Sequence, residues 1–281
     1  MRHFTLLLLS VFTVYQAKAD ILIPLDKYPT GEKRFNLQIN GSHDTSTPWL
    51  STTSFGVDED GQMGNPENWT SEQIDEDNHS VSHRLIMNSI SLRLSYRVWD
   101  NLSLWAGINF THEETFRDDD DLSSTIFSKN MVPIYSGGLG YGHAFTDRFF
   151  MSTQPGVRYA NSDNMTTEVY YQGKTIPLRD LSLNRRYLEW AVPVVAGYAL
   201  GNFVPYAGIL YKDYTMKDRY EFTKTYAGED YTVRIDETFH ARHKLYALAG
   251  VNYFLADNIS LGVNGSFGKR QSVQLQFNIS F

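Results

Sequence analysis

The stretch SVQLQFNISF, residues 272–281, decides how this chain is read. Val273, Leu275, Phe277, Ile279 and Phe281 are apolar, and Ser272, Gln274, Gln276, Asn278 and Ser280 between them are small or amide polar. A period of two is the side-chain period of a β-strand with one apolar face and one wet face. The same alternation recurs upstream: Ile90, Leu92, Leu94, Tyr96 and Val98 alternate with Ser and Arg, and Leu102, Leu104, Ala106, Ile108 and Phe110 follow after WDN, residues 99–101. So short a connection permits only an antiparallel hairpin.

Three more junctions have that form: FTDRF (145–149), LGNF (200–203) and LADNI (255–259). They alternate with long polar connections, at about 44–84, 117–132, 161–185 and 220–233, while FGKRQ (267–271) puts a tight turn where a long connection is due. The segments between give about ten strands, near 35–43, 85–98, 102–116, 134–145, 149–160, 186–200, 203–220, 233–255, 259–268 and 271–281. The polar face carries Gln38, Asn40, Gln154, Arg158, Asn264, Gln274 and Gln276, and burying so many amides in a dry core costs a few kcal/mol each unless all are paired. A wet interior and an apolar, lipid-facing exterior fit the pattern. The expected fold is therefore all-β, a transmembrane antiparallel up-and-down β-barrel of about ten strands, with 8 to 12 compatible with the pattern.

Composition agrees. Tyr, Phe and Trp make up 14% of the chain, and it has no cysteine, so closure rather than disulfides must hold an exported protein together. The opening MRHFTLLLLSVFTVYQAKAD has a basic start, an apolar run and Ala17-Lys18-Ala19, which predicts a secretory signal cut after Ala19 and a barrel domain over 20–281. The formal charge is −7, which argues against nucleic acid as a partner.

These features together resemble the outer-membrane β-barrels of Gram-negative bacteria, in particular small single-chain barrels of OmpA-, OmpW- and omptin-like architecture. The resemblance implies residence in the cell outer membrane among outer-membrane lipid and lipopolysaccharide, with both chain ends in the periplasm and the long connections outside. It also implies that Phe277, Ile279 and Phe281 form an assembly signal read by the β-barrel assembly machinery.

Chemistry is weakly encoded. Omptin-like proteases need an Asp pair and an Asp-His pair facing each other across the barrel mouth; the counterparts here, Asp58 with Asp60 and Asp77 with His79, share one connection. Outer-membrane phospholipases need His and Ser on adjacent outward faces with an Asn-Gly continuation that NHSVSH (78–83) lacks. Ser42, His43 and Asp44 are consecutive and so point to alternate faces, and His240 and His243, three apart in a strand, make a poor metal pair.

The strongest anomaly is electrostatic. Nine acids and no Lys or Arg lie between Asp44 and Ser82, among them Asp58, Glu59, Asp60, Asp75, Glu76 and Asp77. The next connection adds Glu113, Glu114, Asp118, Asp119, Asp120 and Asp121. Such a crown either concentrates divalent cations or basic peptides by its field or is simply solvated surface; its spacing matches no dedicated metal loop, and neither metal nor cofactor is expected. Inside, Arg93, Arg97, Arg158, Glu189 and Lys212 either plug the lumen or line a narrow solute path, and barrels near eight strands are filled by side chains. The expectation is a non-enzymatic outer-membrane protein acting through acidic exterior loops or as an envelope-stabilising barrel. The alternatives are a narrow small-solute channel and a rim hydrolase, either an omptin-like protease or a lipid-modifying enzyme.

Overall fold

The computed structural model describes residues 35–46, 48–58, 70–72, 82–119, 122–163, 165–171, 174–176, 178–226, 229–268 and 271–281. Among these, seventeen strand segments align end to end into the ten staves of a closed antiparallel barrel. The first stave is β1 (Phe35–Ser46) continued by β2 (Pro48–Asp58), with the short β3 (Thr70–Glu72) paired to β2. The second is β4 (Ser82–Trp99) and the third β5 (Leu102–Asp119). The fourth joins β6 (Leu122–Ser128) to β7 (Val132–Ala144), and the fifth joins β8 (Phe149–Thr153), β9 (Gly156–Ser162) and β10 (Met165–Tyr171). The sixth is β11 (Lys174–Ile176) with β12 (Arg179–Tyr198), the seventh β13 (Phe203–Tyr226), and the eighth β14 (Glu229–Ala241) with β15 (Leu245–Ala256). A short hairpin, β16 (Ile259–Phe267) and β17 (Gln271–Ser280), completes the ring.

The stretch that opened the reading closes the barrel. β17 pairs with β1 from Asn36↔Ser280 to Thr45↔Gln271, and Phe35 and Phe281 exchange both backbone hydrogen bonds, N to O, at 3.0 and 2.9 Å. One rung of the ladder shows the winding. From Phe203 it passes through Tyr253, Leu261, Phe277, Ile39, Leu92, Ile108, Tyr135, Tyr159 and Leu188, and returns to the seventh stave at Thr215, twelve residues further along. A stagger of twelve over ten strands tilts the staves by about 40°. Ten consecutive residues of that rung are apolar or aromatic on the outward face, and no sheet edge is left unpaired along it.

The wall is not ten-stranded throughout. Beyond the tip of the β16–β17 hairpin, the two staves that flank it pair with each other, β14 against β2, from Ala241↔Pro48 to Thr232↔Asp58. The eighth stave breaks at Arg242–Lys244 to make this change of partner: β13 pairs β15 up to Tyr211↔Leu245 and resumes with β14 at Thr215↔His240. The ring thus narrows from ten staves to eight toward the long-connection end.

The same face of each strand points inward throughout, but the polarity of the two faces reverses there. On β4, Ile90, Leu92 and Leu94 are exposed while Ser89, Ser91, Arg93 and Ser95 are buried; above them Leu85 and Met87 turn inward and Arg84 outward. On β13, Ile209 is exposed low on the wall, whereas higher up Met216 is buried between the outward Thr215 and Lys217. Below the reversal the barrel has an apolar outside; above it, the outside is polar and the inside apolar, as in a barrel surrounded by water.

Two expectations change. The interior is not wet throughout, because Leu85, Met87, Ile134, Val132, Leu183, Tyr214, Met216 and Phe239 form one buried apolar cluster in the narrowed part. The strands also run further than the apolar alternation: β2 lies within 44–84, β6 within 117–132, β10 and β11 within 161–185, and the hairpin at 220–233 stays paired to Tyr226↔Glu229. These extensions are rich in Thr, Ser and Tyr, which suit a pleated sheet without producing a hydrophobic period.

Candidate functional site

Built up from the short-turn end, the lumen is a stack of side-chain layers. The lowest centres on Arg93, whose guanidinium carbon lies 3.8 Å from the centre of the Trp105 ring and whose Nη2 donates to Gln154 Oε1 at 2.6 Å. Trp105 Nε1 donates to Leu139 O at 3.2 Å. The indole fits because the facing strand positions are glycines: a Cβ on Gly138 would stand 2.8 Å from Trp105 Cζ2, and one on Gly156 would enter the same ring. Arg97, half-buried on the same face of β4, sits near the turn that carries Asp100.

The second layer is ionic and spans the lumen. Arg158 Nη1 lies 3.1 Å from Glu189 Oε1, and Lys212 Nζ reaches Glu189 Oε2 at 2.9 Å and Asp44 Oδ2 at 3.2 Å. Tyr187 donates its hydroxyl to Glu189. These groups come from the first, fifth, sixth and seventh staves, and their charges cancel. Such burial is sustainable because the carboxylate of Glu189 receives three donors.

The apolar cluster forms the third layer, and a second buried ionic layer lies among and above its side chains. Arg185 donates through Nε and Nη2 to the two oxygens of Asp218 at 2.7 and 2.6 Å, and through Nη1 to Glu113 Oε2 at 3.2 Å and Thr115 Oγ1 at 3.0 Å. A forked guanidinium is suited to this two-sided grip. Tyr220 donates to Glu237 Oε2 at 2.8 Å on the same side. The third, sixth and seventh staves are tied together across the lumen.

Several of these residues were not singled out by sequence. Asp44 and Glu113 belong to the acidic stretches and so read as exterior, yet both point inward and are ion-paired. Strand parity carries the signal: Asp44 continues the face of Gln38, Asn40 and Ser42, and Arg185 shares the face of Tyr187 and Glu189. Of the acidic crown, Glu59, Asp60, Asp75, Glu76, Asp77, Asp120 and Asp121 lie outside the described residues, as does His79. Asp58, Asp118 and Asp119 are described only as backbone, at the ends of β2 and β5. Phe277 and Ile279 line the outward face of β17, and Phe281 follows on, exposed and stacked 6.0 Å from Phe35.

One serine, histidine and carboxylate set does meet on the wall. His112 Nδ1 is 3.0 Å from Ser128 Oγ, and His112 Nε2 is 3.4 Å from Glu114 Oε1. Ser128, however, is only 1% exposed, and its oxygen already accepts the Glu113 backbone N–H at 3.1 Å. A nucleophile must reach its substrate, so this trio reads as a pin at the break between β6 and β7. Among the described residues no three His, Asp or Glu side chains gather into a metal-sized cluster.

A closed wall, an outward apolar band below the reversal and a lumen of polar and ionic layers are the physical signature of one class. The fold is that of an outer-membrane β-barrel. No protein-family model matches the chain, and no curated protein matches its sequence. Solved structures of similar fold include the translocator domain of the autotransporter NalP from Neisseria meningitidis, at 7% identity over 90% of both chains with a TM-score of 0.40. Another is the outer membrane protein OprG from Pseudomonas aeruginosa, at 11% identity over 89% of this chain and 98% of that one, TM-score 0.40. The transport unit of the autotransporter AIDA-I from Escherichia coli matches at 11% identity over 92% and 93%, TM-score 0.38.

Proposed function

We propose that this barrel is a non-enzymatic, integral protein of the outer membrane, exported through the N-terminal signal. Its lumen is sealed, and its specific activity resides on the long-connection end, facing the cell exterior. The observation that carries this reading is the stack itself. Two ionic layers, Asp44–Lys212–Glu189–Arg158 and Glu113–Arg185–Asp218, are each closed across the lumen by direct contacts, with a buried apolar cluster between and around them. A solute crossing it must break buried ion pairs or enter close-packed side chains, and each alternative carries a barrier of several kcal/mol.

The acidic connections bearing Asp58–Asp60, Asp75–Asp77 and Asp118–Asp121 then serve as the exterior field that draws divalent cations or basic peptides. Phe277, Ile279 and Phe281 serve the β-barrel assembly machinery during insertion. The deciding measurement is conductance in planar bilayers after reconstitution. An electrically silent barrel is expected, and regular unitary steps at modest voltage would replace this reading with the narrow channel.

A further inference from the structure

On the outer wall two cations stand directly opposite each other. Arg186 of β12 and Lys217 of β13 are Cα partners in the ladder, and both side chains are exposed. Among the described residues neither makes an ion pair or a side-chain hydrogen bond. Like charges facing each other across a strand pair are unfavourable, so the juxtaposition works against the sheet unless an anion sits between them.

No carboxylate of the described residues pairs with either cation: Asp163, exposed on the same outward face two residues beyond Asn161, makes no ion pair with Arg186. The rung continues to Asn161 on β9 and Thr238 on β14, both uncharged. One step toward the long-connection end, Asp236 is already held by Arg219 in a two-pronged pair at 2.7 and 3.0 Å. One step the other way, Thr215 Oγ1 meets His240 Nδ1 at 3.3 Å.

Beneath the pair, Leu188 and Trp190 on β12 and Tyr159 on the neighbouring β9 are exposed, and Trp190 lies 4.9 Å from the ring of Tyr211; on β13 Thr215 and Asp213, the latter paired with Lys244 at 2.8 Å, come before Tyr211 and the exposed Ile209. A pair of cations above an aromatic and aliphatic strip matches an amphiphile with an anionic head and hydrocarbon tails.

We propose that Arg186 and Lys217 bind the phosphate of a phosphorylated lipid in the outer leaflet, whose acyl chains lie against Tyr159, Leu188 and Trp190. The phosphate turns the repulsion into two charge-assisted hydrogen bonds, with the arginine gripping in a fork and the lysine as a point charge. A free phosphate is a poor occupant of so exposed a site, where salt screens the charges. The acyl strip holds the lipid headgroup at high local concentration, which is where the selectivity for a lipid arises. This inference rests on the membrane placement proposed above but not on the sealing of the lumen.

The test uses the whole mature barrel refolded in neutral detergent, with heat-modifiable migration confirming the fold of every variant. The probes are phosphatidic acid, phosphatidylcholine and inorganic phosphate, and the readout is lipid retained on the barrel by native mass spectrometry. The wild-type barrel should retain phosphatidic acid over phosphatidylcholine, and the double variant R186Q/K217Q should lose about tenfold or more of that retention. Swapping the pair as R186K/K217R should preserve it, and so should Arg148→Gln, on a turn at the opposite end. Equal retention by R186Q/K217Q and wild type would overturn the proposal, as would displacement of the lipid by an equimolar amount of inorganic phosphate. A conducting barrel would overturn the sealed-lumen reading and leave the lipid result standing.

Discussion

Replacing Arg185 with methionine tests the upper ionic layer most directly. The guanidinium donates four hydrogen bonds, two to Asp218, one to Glu113 and one to Thr115, and the side chain is almost wholly buried. Methionine keeps much of the volume and removes the charge, leaving the Asp218 and Glu113 carboxylates in the lumen without the cation they share. Removing one partner of a buried ionic group costs about 3–5 kcal/mol, and the upper part of that range applies here because two acids lose one cation. Replacing all three groups, as R185M/D218L/E113L, should restore stability to within about 2 kcal/mol of wild type, since apolar side chains of similar size are often as stable as a buried triad. The flanking side chains favour this outcome: Leu183, Tyr187 and Met216 are buried neighbours on the same faces of β12 and β13. Urea titration of the folded barrel in lipid vesicles, followed by tryptophan fluorescence, measures both differences. A single variant within about 1 kcal/mol of wild type, or a triple variant as unstable as the single one, would show that the layer is not held as described.

Two further outcomes are expected. Gly156→Ala drives a Cβ into the Trp105 indole and should destabilise the barrel by about 1–3 kcal/mol in the same titration, with part of the loss recovered when Trp105→Leu is added. Deleting Phe281, or appending a polar tail to it, should lower the folded fraction in outer-membrane preparations far more than the loss of one exposed ring warrants, because the reading assigns that residue to assembly; normal levels of heat-modifiable barrel would sink the assignment.

The architecture below the reversal was legible because the membrane imposes a strong pattern. Wherever one face meets hydrocarbon, every second residue is apolar, and SVQLQFNISF carries that period without a fault. Arg93, Arg158, Glu189 and Lys212 could be placed on one face by parity alone, although their mutual contacts could not, since Lys212 and Asp44 meet across 168 positions of chain. Above the reversal the pattern weakens, because neither face is uniformly apolar and the exposed one is wet. There β6 and β10 pair over their whole length through Ser, Thr and Tyr, with no apolar alternation to announce them. Asp44 and Glu113 follow the same logic: they sit in acidic neighbourhoods of the sequence, but strand parity turns both into the lumen, where each meets a cation.

One sequence detail links the narrowing and the reversal. FGKRQ, residues 267–271, is a tight turn where the other connections at that end are long, so the β16–β17 hairpin stops at Phe267↔Gln271 while its neighbours continue. Their unpaired edges would otherwise expose backbone donors and acceptors, and pairing β14 with β2 satisfies them. Losing two staves shrinks the bore toward the size that side chains fill by themselves. A bore of that size outside hydrocarbon is stabilised by an apolar core, and there Leu85, Met87, Ile134, Met216 and Phe239 turn inward. The outer surface at this level is then free to be polar, which is why Arg186 and Lys217 stand on the wall two positions above Leu188 and Thr215. The short hairpin thus connects the side-chain-filled bore to the cationic pair: the reversal that dries the interior also puts charge on the exterior at the edge of the apolar band.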